Sequence, residues 1–371
     1  VNSSRDIKAS GVYVRSASEI IGNTIYNNSG SSSWLNHYNV GNVSVHASEY
    51  DFGSGAIQKN IIVGGSIRFV ETFTGSISNN VFAGGARGIL ELSGAEFTKN
   101  AILNGAPSDP NYTSYAILAF YNSSYGSSSS SDFTKNLFSG NTNTSIEQST
   151  GGQGQQNLTT SFNNIINNTG FTVRAGNSQN SSMENNWWGT TIESEIQNII
   201  YDWNDDPSKG FIDYDPYLTA PSILAPVSPP KNVVKQSATG GVTLSWAANP
   251  EADVTGYKVH YGTYNGYSFA SSVDVGNVTS YTLSGASLSD NIAVTAYDPS
   301  ANGTDDQTDG FESWFSFASD PYPVMTLSST SLNFGAVQHS QASSVNFTIG
   351  NDGTADLVVS NISSSNGYYT V

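Results

Sequence analysis

Three carboxylates recur in register early in the chain. Asp51, Glu71 and Glu91 are spaced by 20 residues (71−51 and 91−71), and each lies nine positions before an asparagine: Asn60, Asn80 or Asn100. Their neighbours Tyr50, Val70 and Leu90 on one side, and Phe52, Thr72 and Leu92 on the other, are mostly apolar. Strand alternation then points the apolar residues inward and the acids outward. Carboxylates about 5 Å apart repel, and a bound Ca²⁺ or raised pKa values would relieve that repulsion. The column admits three readings: a calcium site, a pair of sugar-cleaving acids, or a solvated acidic stripe softened by Arg68 and Arg87. The solvated stripe is the one these residue types favour. His37, His46, His260 and His339 are scattered, which argues against a histidine metal centre.

These acids line up only because the chain repeats. AIQKNIIVGG, SISNNVFAGG and EFTKNAILNG place Asn60, Asn80 and Asn100 in one phrase: apolar, two polar, Asn, any residue, apolar, then Asn or Gly two further on. The phrase returns with wider spacing around Asn23, Asn136, Asn164 and Asn186. Asn164 keeps Ile166 and Asn168 but has Ser161 in the apolar slot; Asn186 keeps Met183 and Trp188 but ends on Thr190. A period of 20 residues with strand-like alternation is what one coil of a parallel β-stack needs. The asparagines then form a buried column whose amides hydrogen-bond along the stack, and the Gly or Asn four residues on suits a left-handed turn. Lys59, Lys99 and Lys135 precede column asparagines and read as solvated turn residues.

The 371 residues carry 13 Lys+Arg against 30 Asp+Glu, a formal net charge of −17. Nucleic acid and anionic membranes are poor partners for such a chain. It has no Cys, which rules out a disulfide framework and thiolate metal sites without fixing a compartment. No transmembrane run or signal peptide is visible. Abundant Ser, Thr, Asn, Gly and Tyr with 12% charged residues suit an extracellular or cell-surface β-protein.

The repeats run to about residue 189, interrupted by polar excursions at 105–131 and 141–160. Thr190 and Glu193 have capping-box spacing, and Ile192, Ile196, Ile199 and Ile200 share a helical face. A helix there would cover the last coil, with Trp187 and Trp188 packing beneath it. Residues 1–218, ending in NNWWGT, this helix and FIDYDPYL, resemble the right-handed parallel β-helix repeat proteins of microbial surfaces and the pectate-lyase-like enzymes. Catalysts and inert adhesins share that scaffold, so the resemblance implies fold rather than chemistry. A lyase of this kind would need a base beside Ca²⁺, a place for Arg68 or Arg87, but the paired-Asp motif of polygalacturonases falls in no coil, since Asp205-Asp206 comes after them.

A Pro-rich stretch at 219–229 reads as a stiff linker. Residues 230–318 resemble a fibronectin type III domain through Trp246, Tyr257, Leu283 and the segment NIAVTAYD, although Asn291 or Ile292 stands where the family often has Tyr. From 322 to 371, Phe334-Gly335, Phe347, Ile349, Gly353 and Leu357 resemble the start of an Ig-like domain of the choice-of-anchor or hydin-like type. The expected fold is therefore all-β: a right-handed parallel β-helix with a C-terminal capping helix, followed by β-sandwich domains. More polypeptide, or neighbouring subunits, is expected beyond both ends.

Tyr112, Tyr115, Tyr121 and Tyr125 in the first excursion read as loop packing before sugar stacking. Asn111, Asn122, Asn143, Asn157, Asn277 and Asn302 lie in Asn-x-Ser/Thr acceptors and are the expected glycan carriers. The expected function is a non-catalytic extracellular surface protein, whether adhesin, surface-layer or filament component. Its partners would be surface glycans or copies of itself; the alternative is a polysaccharide lyase or glycoside hydrolase.

Overall fold

The computed structural model describes residues 158–320 without a break. Outside that span it describes 12–15, 18–26, 43–46, 55–64, 67–70, 75–84, 88–90, 96–105, 118–121, 131–142, 146–149, 322–351, 353 and 355–365. The chain is all-β, with long parallel sheets followed by antiparallel ones.

Each repeat contributes strands to three parallel sheets, of eight, six and six strands. In the second sheet Ser18–Ile21, Gly55–Gln58, Ser76–Ser78, Glu96–Thr98, Ser131–Thr134 and Leu158–Ser161 lie side by side. In the third, Thr24–Tyr26, Ile61–Val63, Val81–Ala83, Ala101–Leu103, Leu137–Ser139 and Asn164–Ile166 do the same. Each strand pairs with its counterpart one repeat on, so residues of one phrase position form columns. Ile20, Ile57, Ile77, Phe97 and Phe133 are in register, as are Ile25, Ile62, Phe82, Ile102, Phe138 and Ile165. These columns make one buried core, in which Phe97 and Phe133 stack at 5.0 Å.

The corner between the second and third sheets uses one left-handed residue per repeat. Gly22, Lys59, Asn79, Lys99, Lys135, Phe162 and Asn185 all have φ between 54° and 68°. The next residue is the asparagine of the column, buried from Asn60 onward. The chain then turns again through Gly64, Gly84, Asn104, Gly140 or Asn167, left-handed in turn.

At the end of the stack a helix spans Glu193–Asn198 and buries Ile196, with Ile200 buried just beyond it, while Ile192 remains 54% exposed. Thr190 does not form the expected capping box with Glu193: its hydroxyl accepts the Ile192 N–H and donates to Glu195. Asp202, fully buried, accepts the N–H groups of Asn204 and Ile212 and a Gln197 amide hydrogen, tying this cap together.

The chain divides into two compact units. The first comprises Val1–Lys231, Ala248–Val278 and Asn291–Ser316, and the second Asn232–Ala247, Thr279–Asp290 and Phe317–Val371. In the first, Gly256–Tyr264 lies between Phe269–Gly276 and Ala293–Tyr297 in an antiparallel sheet. In the second, Gly241–Ala247 lies between Lys231–Ala238 and Ser280–Ser284, burying Val242, Leu244 and Trp246. Met325–Leu327 and Ile349–Asn351 pair antiparallel.

Candidate functional site

The polar chemistry of the stack is concentrated in one buried column. Asn60 Oδ1 accepts both the backbone N–H and a side-chain N–H of Asn23, at 2.9 and 3.2 Å. The same two-bond contact joins Asn60 to Asn80, Asn80 to Asn100, Asn100 to Asn136, Asn136 to Asn163, and Asn163 to Asn186. From Asn60 onward each remaining amide hydrogen reaches a carbonyl of an earlier repeat, as Asn100 Nδ2 does to Ile77 at 2.9 Å. Every side-chain donor of the column is used, and from Asn60 onward the asparagines are buried, where a lone amide would be costly.

Asn163, not Asn164, belongs to this column. With Asn163 in the slot, Thr160 is the inner residue before it, Ile165 the inner residue after it, and Asn167 the left-handed one. The expected register was off by one because Ile165 and Ile166 are both buried, so alternation of polarity does not choose between two adjacent asparagines. Asn164 instead grips the backbone of Ser222. A shorter amide run lies five positions further on: Gly105 donates to Asn141, which donates twice to Asn168.

The third sheet is apolar on both faces. Beside its inward column, Val81, Ala83, Ala101, Leu103, Leu137 and Ile166 are buried against Ala293, Trp314 and Phe315, with Tyr264, Tyr267 and Phe269 packed around them. Consecutive apolar residues such as Ile61-Ile62-Val63 were the sequence signal for a strand covered on both sides. Tyr26 meets Tyr267 edge-on at 5.8 Å, and a Cβ on Gly266 would sit 2.1 Å from the Tyr26 ring. Lys59 Nζ lies 2.9 Å from Asp309 and 3.7 Å from Asp305, and the hydrogen bond to Asp309 raises its pKa. The Pro-rich segment is held by Ser222 on Asn164, by Val227 N–H on the Gly310 carbonyl, and by Ser228, whose N–H donates to Glu251 and whose carbonyl accepts from Asn249.

Beneath Phe315 lies a charged cluster. The Thr295 hydroxyl donates to Glu312, Lys258 pairs with the same carboxylate, and His260 Nε2 stands 3.3 Å from Glu312 and 2.8 Å from Thr295 Oγ1. One imidazole nitrogen faces both groups, so Thr295, His260 and Glu312 lack the two-ended relay of a nucleophilic triad.

Asp51, Glu71, Glu91 and Arg87 lie outside the described residues, as do Tyr112, Tyr115, Asn111, Asn122, Asn143 and Asn157. Asn277 and Asn302 are exposed, in keeping with an accessible acceptor. Trp188 is buried against Tyr214, and Trp187 is partly buried beside the third sheet's outer face. Asp205 and Asp206 sit in the cap, where Asp206 accepts the Ser208 N–H, a bond that lowers its pKa. Among the described residues no three His, Asp or Glu side chains are grouped to hold a metal ion, and no helix is long and apolar enough to cross a membrane. No protein family, curated protein or solved structure matches the chain.

Proposed function

We propose that residues 1–218 form a right-handed parallel β-helix, and that this protein is a non-catalytic component of an extracellular surface, built to be rigid. The observation that carries this reading is the use made of the amides. Buried asparagines from Asn60 to Asn186 spend their side-chain hydrogen bonds on joining one repeat to the next. The covered outer face of the third sheet adds a second layer of packing along the stack. Such construction resists bending and local opening, as a display or filament element requires.

Residues 230–318 are read as a fibronectin type III module. Supporting this are the strand groupings, 231–238 with 241–247 and 280–284, and 256–264 with 269–276 and 293–297, together with buried Trp246 and Tyr257. Residues 322–371 are read as part of a further Ig-like domain. Incubation with acidic and neutral polysaccharides tests the non-catalytic reading: no new reducing ends and no unsaturated uronate are expected. Release of either, abolished by no contaminant control, overturns it.

A further inference from the structure

The charged cluster beneath Phe315 brings one amine and two acids together. Lys258 lies on the strand Gly256–Tyr264, between the buried Tyr257 and Val259. Its Nζ pairs with Glu312 and stands 4.0 Å from Asp306 Oδ2. The Tyr297 ring centroid lies 5.5 Å from the same nitrogen. The Asp306 and Glu312 side chains are 5% and 7% exposed and that of Lys258 22%, so the three groups meet largely out of water. Buried ion pairs of this kind seldom add net stability, because desolvation offsets the attraction.

The two acids are held differently. The Asp306 carboxylate accepts two backbone N–H groups, that of Asn302 at Oδ1 (2.9 Å) and that of Gly303 at Oδ2 (2.7 Å). Its own backbone carbonyl accepts the N–H groups of Phe311 and Glu312, which ties the two acids together. Two fixed amide donors on one carboxyl group polarise its carbon and stabilise the charge of a tetrahedral centre formed there. Glu312 instead faces side chains: the Thr295 hydroxyl donates to it at 2.7 Å, and His260 Nε2 stands 3.3 Å away. Burial raises its pKa, but the bonds from His260, Lys258 and Thr295 outweigh burial and keep it a carboxylate, able to take up a proton.

We propose that Lys258 and Asp306 join in an intramolecular amide bond, with Glu312 carrying the protons. Glu312 takes a proton from the Lys258 ammonium and passes it to Asp306 Oδ2, leaving a neutral amine and a neutral carboxylic acid. Nζ then attacks Cγ, and the charge that develops on Oδ1 rests on the Asn302 N–H. A second proton leaves the nitrogen by way of Glu312 as Oδ2 departs. One C–N bond forms, one C–O bond breaks, and two protons from the nitrogen leave with Oδ2 as water. Nothing is oxidised or reduced, and Glu312 ends as it began. Groups held in reacting geometry behave as if at effective concentrations on the order of 10⁵ M or more, which drives a condensation that dilute amines and acids do not achieve. The bond fastens Gly256–Tyr264 to the short helix Asp306–Asp309 and persists when hydrogen bonds open. This single self-modification goes beyond the surface reading and does not depend on it.

The test is the intact mass of the full chain, produced without glycosylation and measured after denaturation. The chain is expected to be lighter than its sequence by one water, and a protease digest to yield a branched peptide joining Lys258 to Asp306. Lys258→Arg, Asp306→Ala and Glu312→Gln are each expected to show the full mass of their own sequence. Lys59→Gln, which removes the more exposed pair with Asp309, leaves the deficit in place. The wild-type measurement needs no variant to fold, and a wild-type chain at its full sequence mass overturns the proposal. So does a branch point at any other pair of residues, or a deficit that mild base removes, the mark of a cyclic imide at a pair such as Asp309-Gly310. A deficit that survives Glu312→Gln overturns the role given to Glu312.

Discussion

Asn164 holds Ser222 by both ends of its amide: Nδ2 donates to the Ser222 carbonyl at 3.0 Å, and Oδ1 accepts the Ser222 N–H at 2.8 Å. Its neighbour Asn163 accepts two hydrogen bonds from Asn136 at Oδ1, and its Nδ2 donates to Phe133 and Asn186. Adjacent identical residues therefore hold different parts of the protein. Asn163→Ala, which leaves buried groups of Asn136 unpartnered, is expected to cost about 3 kcal/mol. Asn164→Ala should cost about 1–2 kcal/mol. Denaturant melts of the two variants check the ranking, and the reverse order would put Asn164 back in the column.

Leu103 and Ile102 occupy opposite faces of one strand, yet both are buried. Each change to Ala should cost about 2–4 kcal/mol. A loss near zero for Leu103→Ala would mean that the outer face is open to water.

Two glutamates should give opposite slopes with pH. Burial raises the Glu312 pKa, but hydrogen bonds from His260, Lys258 and Thr295 outweigh it and hold the carboxyl below its ordinary 4.5. Its stabilisation is full above that value and is lost as pH falls through the lower folded pKa. Burial raises the Glu251 pKa despite hydrogen bonds from Ser228 and Asn249, so its contribution is present in acid and lost as pH rises through the folded value. Glu312→Gln should flatten the acid side of a plot of melting temperature against pH. Glu251→Gln should instead remove a decline on the other side, and identical profiles for both would refute these assignments.

Asp202 accepts three hydrogen bonds while fully buried in the cap. Asp202→Ala should cost about 3 kcal/mol and expose the last repeat first. Faster hydrogen exchange at Ile200 and Ile212, with Ile77 unchanged, is the expected pattern; uniform loss of protection would contradict it.

The repeat was legible because column residues recur with their apolar neighbours: the Asn60, Asn80 and Asn100 phrases give strand, corner and core position at once. The register at Asn163 was not legible, since adjacent asparagines and adjacent isoleucines leave polarity without a preference. The packing of the third sheet against Trp314 and Phe315 was signalled only indirectly, by runs such as Ile61-Ile62-Val63. The partner residues lie more than a hundred positions away, and no local pattern names them. Likewise Lys59 reads locally as a solvated turn residue; Asp309, 250 residues on, gives it a partner.

The most direct test of a stack and antiparallel sheet joined as one rigid body uses the absence of cysteine. Lys59→Cys with Asp309→Cys puts a thiol on each of two residues whose native side chains meet, Nζ and Oδ1 standing 2.9 Å apart. A short bifunctional maleimide should link them within one chain, giving a monomer of altered gel mobility, in high yield and independently of protein concentration. Single modification at each thiol, or links only between chains, would show that the covered face of the third sheet is not covered in solution.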